Sequence, residues 1–178
     1  MSREFYPSRC WTDLRVAPCP SPLGGTGGFA IAHIKEGEIV QIMGGALLTD
    51  SQLEAAFEDF GRKGRYLNTL QVGEDLNIAD LYGTLEVPLN HSCDSNLWMA
   101  DEVTTIARRD IAPGEEVTVD YSLQTVHSVP LLDGPCRCGS PLCRRTITGD
   151  DWLLPELQAR YKGHFSPFIE ARIAERNR

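Results

Sequence analysis

Three cysteines crowd into eight residues, Cys136-Arg-Cys138-Gly-Ser-Pro-Leu-Cys143, and no other feature constrains the fold of this chain as strongly. In a reducing compartment, thiols this close in sequence favour a metal over disulfides. Zinc takes four ligands in a tetrahedron, so three thiolates from one short loop leave a vertex that is either open or filled from elsewhere in the chain. The residues able to fill it are Cys93, Cys10, Cys19 and the four histidines. Cys10 and Cys19 lie in a proline-rich lead and read as ordinary thiols.

The rest of the chain must supply a body for that loop. With 178 residues, 42% of them apolar, it is long enough for one globular domain with a sizeable core and too short for two. Its 17 basic and 25 acidic side chains give a net charge of −8, which repels phosphate backbones and anionic membranes, so neither is an expected partner. The imbalance is uneven: residues 1–133 hold 9 basic and 20 acidic side chains, residues 134–178 hold 8 and 5. An acidic body suits a basic partner. The charged start, residues 1–9, has no apolar run behind it, and the longest uncharged stretch, residues 16–34, is broken by three prolines and four glycines. Neither a secretory signal nor a membrane span is expected, and a cytoplasmic protein is the default, with nuclear entry open.

Along the chain, residues 1–22 read as an irregular arm wrapped on the domain, with no declared helix or strand. Residues 29–34 and 38–43 read as two short strands joined by a tight connection, and residues 104–120 repeat that design. The two stretches share the pattern Ile-x-x-Gly-Glu, at Ile34 to Glu38 and at Ile111 to Glu115, which reads as a turn within a sheet. A helix is expected over residues 50–60: Thr49 and Gln52 form a capping box, Leu53, Ala56, Phe57 and Phe60 share a face, and Gly61 ends it. A short helix capped by Asp150 or Asp151 should run through Gln158, and Ser166-Pro167 should open another over residues 168–176. Many short strands and few helices make a mixed, β-rich domain rather than an alternating βαβ fold.

Three clusters carry chemistry. The run Gly24-Gly25-Thr26-Gly27-Gly28 can bring backbone groups close to a ligand, but it precedes a β-like segment, which argues against a dinucleotide-binding turn. Asn90-His91-Ser92-Cys93-Asp94-Ser95-Asn96 packs amide, imidazole, hydroxyl and thiol groups into seven residues. Gly114-Glu115-Glu116-Val117-Thr118-Val119-Asp120-Tyr121 alternates apolar side chains and ends in a polar aromatic.

In this order, with the cysteine triplet after them, these pieces resemble the SET-domain family of S-adenosylmethionine-dependent protein lysine methyltransferases with its zinc-binding post-SET segment. The resemblance spans about residues 22–147 and rests on Gly25-Thr26-Gly27, on Asn90 to Cys93, on Gly114 to Tyr121, and on Cys136, Cys138 and Cys143. It implies a β-clip-like fold of several short sheets with a pseudoknot crossing near Asn90 and Tyr121, divided as a 1–22 arm, a 23–125 SET domain, a 126–149 zinc segment and a 150–178 helical tail. It implies that Gly25, Thr26, Gly27, Phe29, Asn90, His91, Tyr121 and Ile147 contact S-adenosylmethionine. Tyr121 is then the active-site tyrosine, Tyr66 a second aromatic of the lysine channel, and Cys93 the fourth ligand of one structural zinc ion beside Cys136, Cys138 and Cys143. The implied partner is a lysine-bearing protein or peptide, a histone or another basic protein. It would be bound as an added strand between residues 66–78 and 121–129.

Departures from the family pattern leave some properties open. Glu86-Val87-Pro88-Leu89 stands where many members carry an Arg-Phe pair before the Asn-His segment, and Val119 stands where some carry a bulky aromatic. Methyl multiplicity is therefore not fixed, and Tyr82 or Trp98 could set the limit. A catalytically silent, zinc-stapled module binding lysine-rich segments is the competing reading. A nucleic-acid module resting on Arg137, Arg144 and Arg145 is opposed by the acidic body. Monomer and homodimer are both open.

Overall fold

The computed structural model describes residues 6–127 and 131–178. Eleven short strands among these residues form three small sheets. The first sheet has the order β1 (Trp11–Thr12), β4 (Ile39–Ile42), β10 (Thr104–Ala107), β9 (Leu97–Met99). The second has the order β2 (Val16–Pro20), β3 (Thr26–Ala30), β11 (Glu116–Val119), β8 (Asn90–His91), and the third β5 (Ala46–Leu48), β7 (Leu76–Ala79), β6 (Thr69–Gly73). Neighbours are antiparallel except β8 and β11, whose parallel register sets Asn90 against Thr118 and His91 against Val119. Residues far apart in sequence thus run side by side where the crossing was expected, and the mixed, β-rich architecture is the one read from the sequence.

The expectation of no declared strand in residues 1–22 is corrected: they contribute β1 and β2, each an edge strand. Pro18 and Pro20 hid β2, because proline donates no ladder hydrogen bond, yet an edge strand tolerates that loss on its open side. Residues 21–25 are the hairpin turn joining β2 to β3, with Ser21 and Gly25 bonded across it. The strands predicted around residues 29–34 and 38–43 lie in different sheets, not in one hairpin.

The two Ile-x-x-Gly-Glu turns pair with each other. Ile34 and Ile111 exchange both backbone hydrogen bonds, the Gly37 amide reaches the Ala107 carbonyl at 2.8 Å, and the Gly114 amide reaches the Ala30 carbonyl at 2.7 Å. Gly37 and Gly114 take matching left-handed angles, φ 82° and 86°, which non-glycine residues adopt only with strain. The sequence echo is therefore a local two-fold arrangement that clamps the first two sheets together.

Helix α1 (Asp50–Arg62) carries the expected capping box: Thr49 Oγ1 accepts from the Gln52 amide and Gln52 Oε1 accepts from the Thr49 amide. It runs past Gly61, and Gly64, at φ 63°, lies just beyond the cap residue Lys63. Phe57, expected on the buried face, is exposed; Leu53 and Phe60 pack instead against Leu67 and Ala79. The helix predicted through Gln158 is split into a 3₁₀ turn, Asp151–Leu153, and α2 (Pro155–Arg160), because the residue before a proline avoids the helical region and Leu154 sits at ψ 122°. Helix α3 (Pro167–Arg176) begins where Ser166-Pro167 placed it, though the Ser166 hydroxyl makes no capping bond.

The main core runs through Ile34, Val40, Ile78, Met99, Ile111 and Val117 and continues into the tail through Trp152, Leu157, Tyr161, Phe165 and Ile169. The tail is tied down by polar contacts as well: the Met99 amide donates to the His164 carbonyl, the Ser166 amide to the Leu123 carbonyl, and the Trp98 and His164 rings stack 3.5 Å apart. Among the described residues no helix is long and apolar enough to cross a membrane.

Candidate active site and metal centre

Sequence separations of tens of residues collapse where β3, β8 and β11 meet. The parallel β8–β11 pair places Asn90 and His91 beside the strand that ends at Tyr121, and β3 presents Gly27 to the same region. A Cβ at Gly27 would come 2.2 Å from Glu116 Oε1 and 2.7 Å from Asn90 Nδ2, so only glycine lets those side chains lie against the strand. Around Gly24 and Gly25 the space is open. Asn96 holds β11 in place, donating to the Glu116 carbonyl and accepting from the Thr118 amide, each at 2.8 Å.

Tyr121 opens a 3₁₀ turn, Tyr121–Leu123, capped by the Asp120 carboxylate. Its hydroxyl donates to the Leu89 carbonyl at 2.9 Å. Burial pushes the phenol above its ordinary value, with the Tyr66 and Glu116 charges adding to the rise, so it is a neutral donor rather than a base. His91 packs on it with ring centroids 5.3 Å apart. His91 Nδ1 accepts the Tyr121 amide at 3.2 Å, which leaves the proton on Nε2, 3.3 Å from Cys93 Sγ. Burial holds the imidazole down to about 4, so the ring is neutral at physiological pH.

Cys93 is also where the cysteine question closes. The sulfurs of Cys93, Cys136, Cys138 and Cys143 lie within 4.8 Å of one another, and the Cys93 and Cys136 sulfurs are 3.9 Å apart. A tetrahedral thiolate site with zinc–sulfur bonds of about 2.3 Å places its sulfurs roughly 3.8 Å apart. Burial pushes the Cys93 and Cys136 thiols up, and a divalent cation reverses that balance by holding thiolates. The donor set thus fits a zinc ion. Cys10 is packed against Met43 and Gly44, and Cys19 is exposed, in keeping with ordinary thiols.

Sequence reasoning named Arg144 only as part of a basic face and missed its inward position. Its Nη1 and Nη2 grip both oxygens of the buried Asp120 at 2.7 and 2.8 Å, its Nε meets Asp151 at 2.7 Å, and its amide donates to Cys93 Sγ at 3.3 Å. One side chain therefore ties the cysteine loop to the residue before Tyr121. Arg160 adds a second tie, donating to the Cys93 carbonyl at 2.8 Å.

The remaining expected site residues are distributed around this centre. Ile147 is buried against Cys93 and Cys136, and Phe29 lies half-buried on β3 opposite Glu116. Tyr66 is 81% exposed on the loop after α1, and Tyr82 is exposed as well. Trp98 is stacked on His164. The second wall expected for a peptide groove runs into Val129, which lies outside the described residues.

Comparison with known proteins agrees with this architecture. The family described as SET domain matches residues 25–122. The chain is 31% identical over 137 residues, 71% of its length, to "Histone-lysine N-methyltransferase, H3 lysine-4 specific" of Mycosarcoma maydis, matching 9% of that protein. It is 31% identical over 144 residues, 75% of its length, to "Histone-lysine N-methyltransferase TRX1" of Oryza sativa subsp. japonica, matching 14% of that protein. A third relative, "Histone-lysine N-methyltransferase, H3 lysine-36 specific" of Schizosaccharomyces pombe, is 34% identical over 100 residues, 52% of this chain and 12% of its own. The chain thus corresponds to a small part of each of these relatives.

Proposed function

The chain belongs to the SET-domain family, and from that premise we propose that it is an S-adenosylmethionine-dependent protein-lysine N-methyltransferase acting on a basic protein segment of the histone kind. One observation carries the reading: Gly27, Asn90, His91 and Tyr121, from three distant stretches, converge on one region backed by the four cysteines. In this reading Gly25, Thr26, Gly27, Phe29, Asn90, His91, Tyr121 and Ile147 hold the cofactor. Residues 23–125 form the SET domain, 126–149 the zinc segment, 150–178 the tail and 1–22 the arm.

Bound S-adenosylmethionine supplies a methyl group on a cationic sulfur. The work left to this chain is to strip water from a lysine amine, keep it neutral and aim it. An apolar channel lowers the pKa of an ammonium group because it disfavours the charge. The neutral Tyr121 phenol and the Leu89 carbonyl it bonds offer polar anchors at the end of such a channel, and the ring of the exposed Tyr66 can close on the aliphatic lysine chain. Zinc on Cys93, Cys136, Cys138 and Cys143 would be structural, holding Ile147 and the loop over the cofactor.

The test is calorimetric titration of zinc-replete protein with S-adenosylmethionine, followed by labelled-methyl transfer onto mixed basic proteins and lysate. Saturable binding with label on lysine is the expected result. Binding without transfer to any lysine would favour the silent-module reading, and a folded protein that does not bind would overturn the proposal.

A further inference from the structure

Among the described residues, Glu116 is a partly buried carboxylate with neither a basic partner nor a backbone amide on it, unlike Asp80 and Asp101, which also lack a basic partner but accept from backbone amides of their own turns. Asp120 is gripped by Arg144, Glu115 by Arg109 and Glu38 by Arg15, whereas no basic side chain forms an ion pair with Glu116 among the described residues. Its partners are neutral. The Ser21 hydroxyl lies 2.7 and 2.9 Å from its two oxygens, and Asn90 Nδ2 donates to Oε1 at 2.8 Å. The position opposite on β3 offers no cation either, since it is Phe29.

Two protons therefore serve a carboxylate with about four lone-pair sites, and its full negative charge stays uncompensated. A cation that arrives with a ligand would find those acceptor sites free. The carboxylate lies against Gly27, shares Asn90 with that strand, and acts on the Tyr121 phenol across the same space. All three neighbours belong to the cofactor site assigned above. S-adenosylmethionine carries two cationic groups, and only one of them, the α-ammonium, has N–H donors to fill the free lone pairs.

We propose that Glu116 is the counter-ion for the α-ammonium group of the cofactor, so that recognition of the amino-acid end depends on this carboxylate; the assignment rests on the reading that this site binds S-adenosylmethionine. Asn90 then orients the carboxylate, and Ser21 fixes its other edge.

The test compares Kd values by calorimetry for wild type and Glu116→Gln with three ligands. S-adenosylmethionine has both cationic groups, S-adenosylhomocysteine has the ammonium alone, and 5′-methylthioadenosine has neither. Glu116→Gln should weaken the first two by a similar factor, roughly tenfold to a hundredfold for a lost charge-assisted contact, and leave the third unchanged. Loss for S-adenosylmethionine alone would transfer the role to the sulfonium, equal loss for all three would mean a structural role, and no loss would mean no role; each overturns the proposal. Should Glu116→Gln fail to fold, wild type with the desamino analogue of S-adenosylhomocysteine decides instead: binding as tight as S-adenosylhomocysteine refutes an ammonium counter-ion. A wild type that binds none of the ligands refutes the cofactor site itself, a failure visible before any variant is made.

Discussion

Arg144 is clamped between Asp120 and Asp151 with 11% of its side chain exposed, and Asp120 is fully buried. Removing one partner of such a pair strands a charge in a low-dielectric interior. Arg144→Met should therefore cost about 3–5 kcal/mol in urea unfolding, while the double variant with Asp120→Asn should regain part of it. Equal stability of wild type and Arg144→Met would show that the pair is decorative. Tyr121 makes a different kind of contribution. Its hydroxyl leaves only the Leu89 carbonyl behind when removed, so Tyr121→Phe should fold, keep its cofactor Kd and lose turnover, read as a fall in kcat for methyl transfer. An unchanged rate would mean that another group anchors the amine. The contrast also marks what a sequence can reveal about single residues. Tyr121 is legible because it ends a motif whose members are contiguous. Arg144 is not, since nothing in Cys-Arg-Arg-Thr tells which arginine turns inward to a carboxylate 24 residues away.

At the scale of elements, the cysteine loop is joined to the Asn-His strand through sulfur. His91 Nε2 and the Arg144 amide both face Cys93 Sγ, at 3.3 Å each, so a charged, metal-held thiolate at this atom would orient a residue on either side. Removing zinc with a strong chelator, or substituting Cys138→Ser, should lower the zinc content below one per chain and weaken S-adenosylmethionine binding at the same time. Full affinity in protein shown to be zinc-free would uncouple the loop from the pocket. The loop is predictable from spacing alone, and the cysteine that joins its cluster, Cys93, from the family resemblance. Strands β1 and β2 are not predictable: two residues carry no periodicity, and a Val-Ala-Pro-Cys-Pro run alternates nothing. What makes them strands is the partner waiting in β4 and β3, a tertiary cause that local propensity does not encode. The same holds in reverse for Phe57, whose helical spacing suggests the core while α1 buries only a narrow stripe.

For the whole molecule, the question is whether the part matched as a SET domain, residues 25–122, can stand without the C-terminal segment. Its core says otherwise. Trp152, Leu157, Tyr161, Phe165 and Ile169 are each at most 5% exposed and pack in the cluster that holds Ile34, Met99 and Val117. At about 1.5–3 kcal/mol per buried side chain, these five contribute roughly 7–15 kcal/mol. A domain of this size has about 5–15 kcal/mol of net stability in all. The tail also satisfies polar groups of the body, through the Tyr161 hydroxyl on Ser95 and the His164 carbonyl on Met99. Residues 150–178 are therefore an integral part of the fold, although their helical pattern sets them apart in the sequence as a segment of their own. A chain ending at residue 149 should lose its cooperative thermal transition and expose apolar surface to a hydrophobic dye, whereas removing only Asn177 and Arg178, both exposed, should leave the midpoint unchanged. If the shortened chain still unfolds cooperatively near the wild-type temperature, the core closes without the tail, and those five side chains are covering surface that the body can spare.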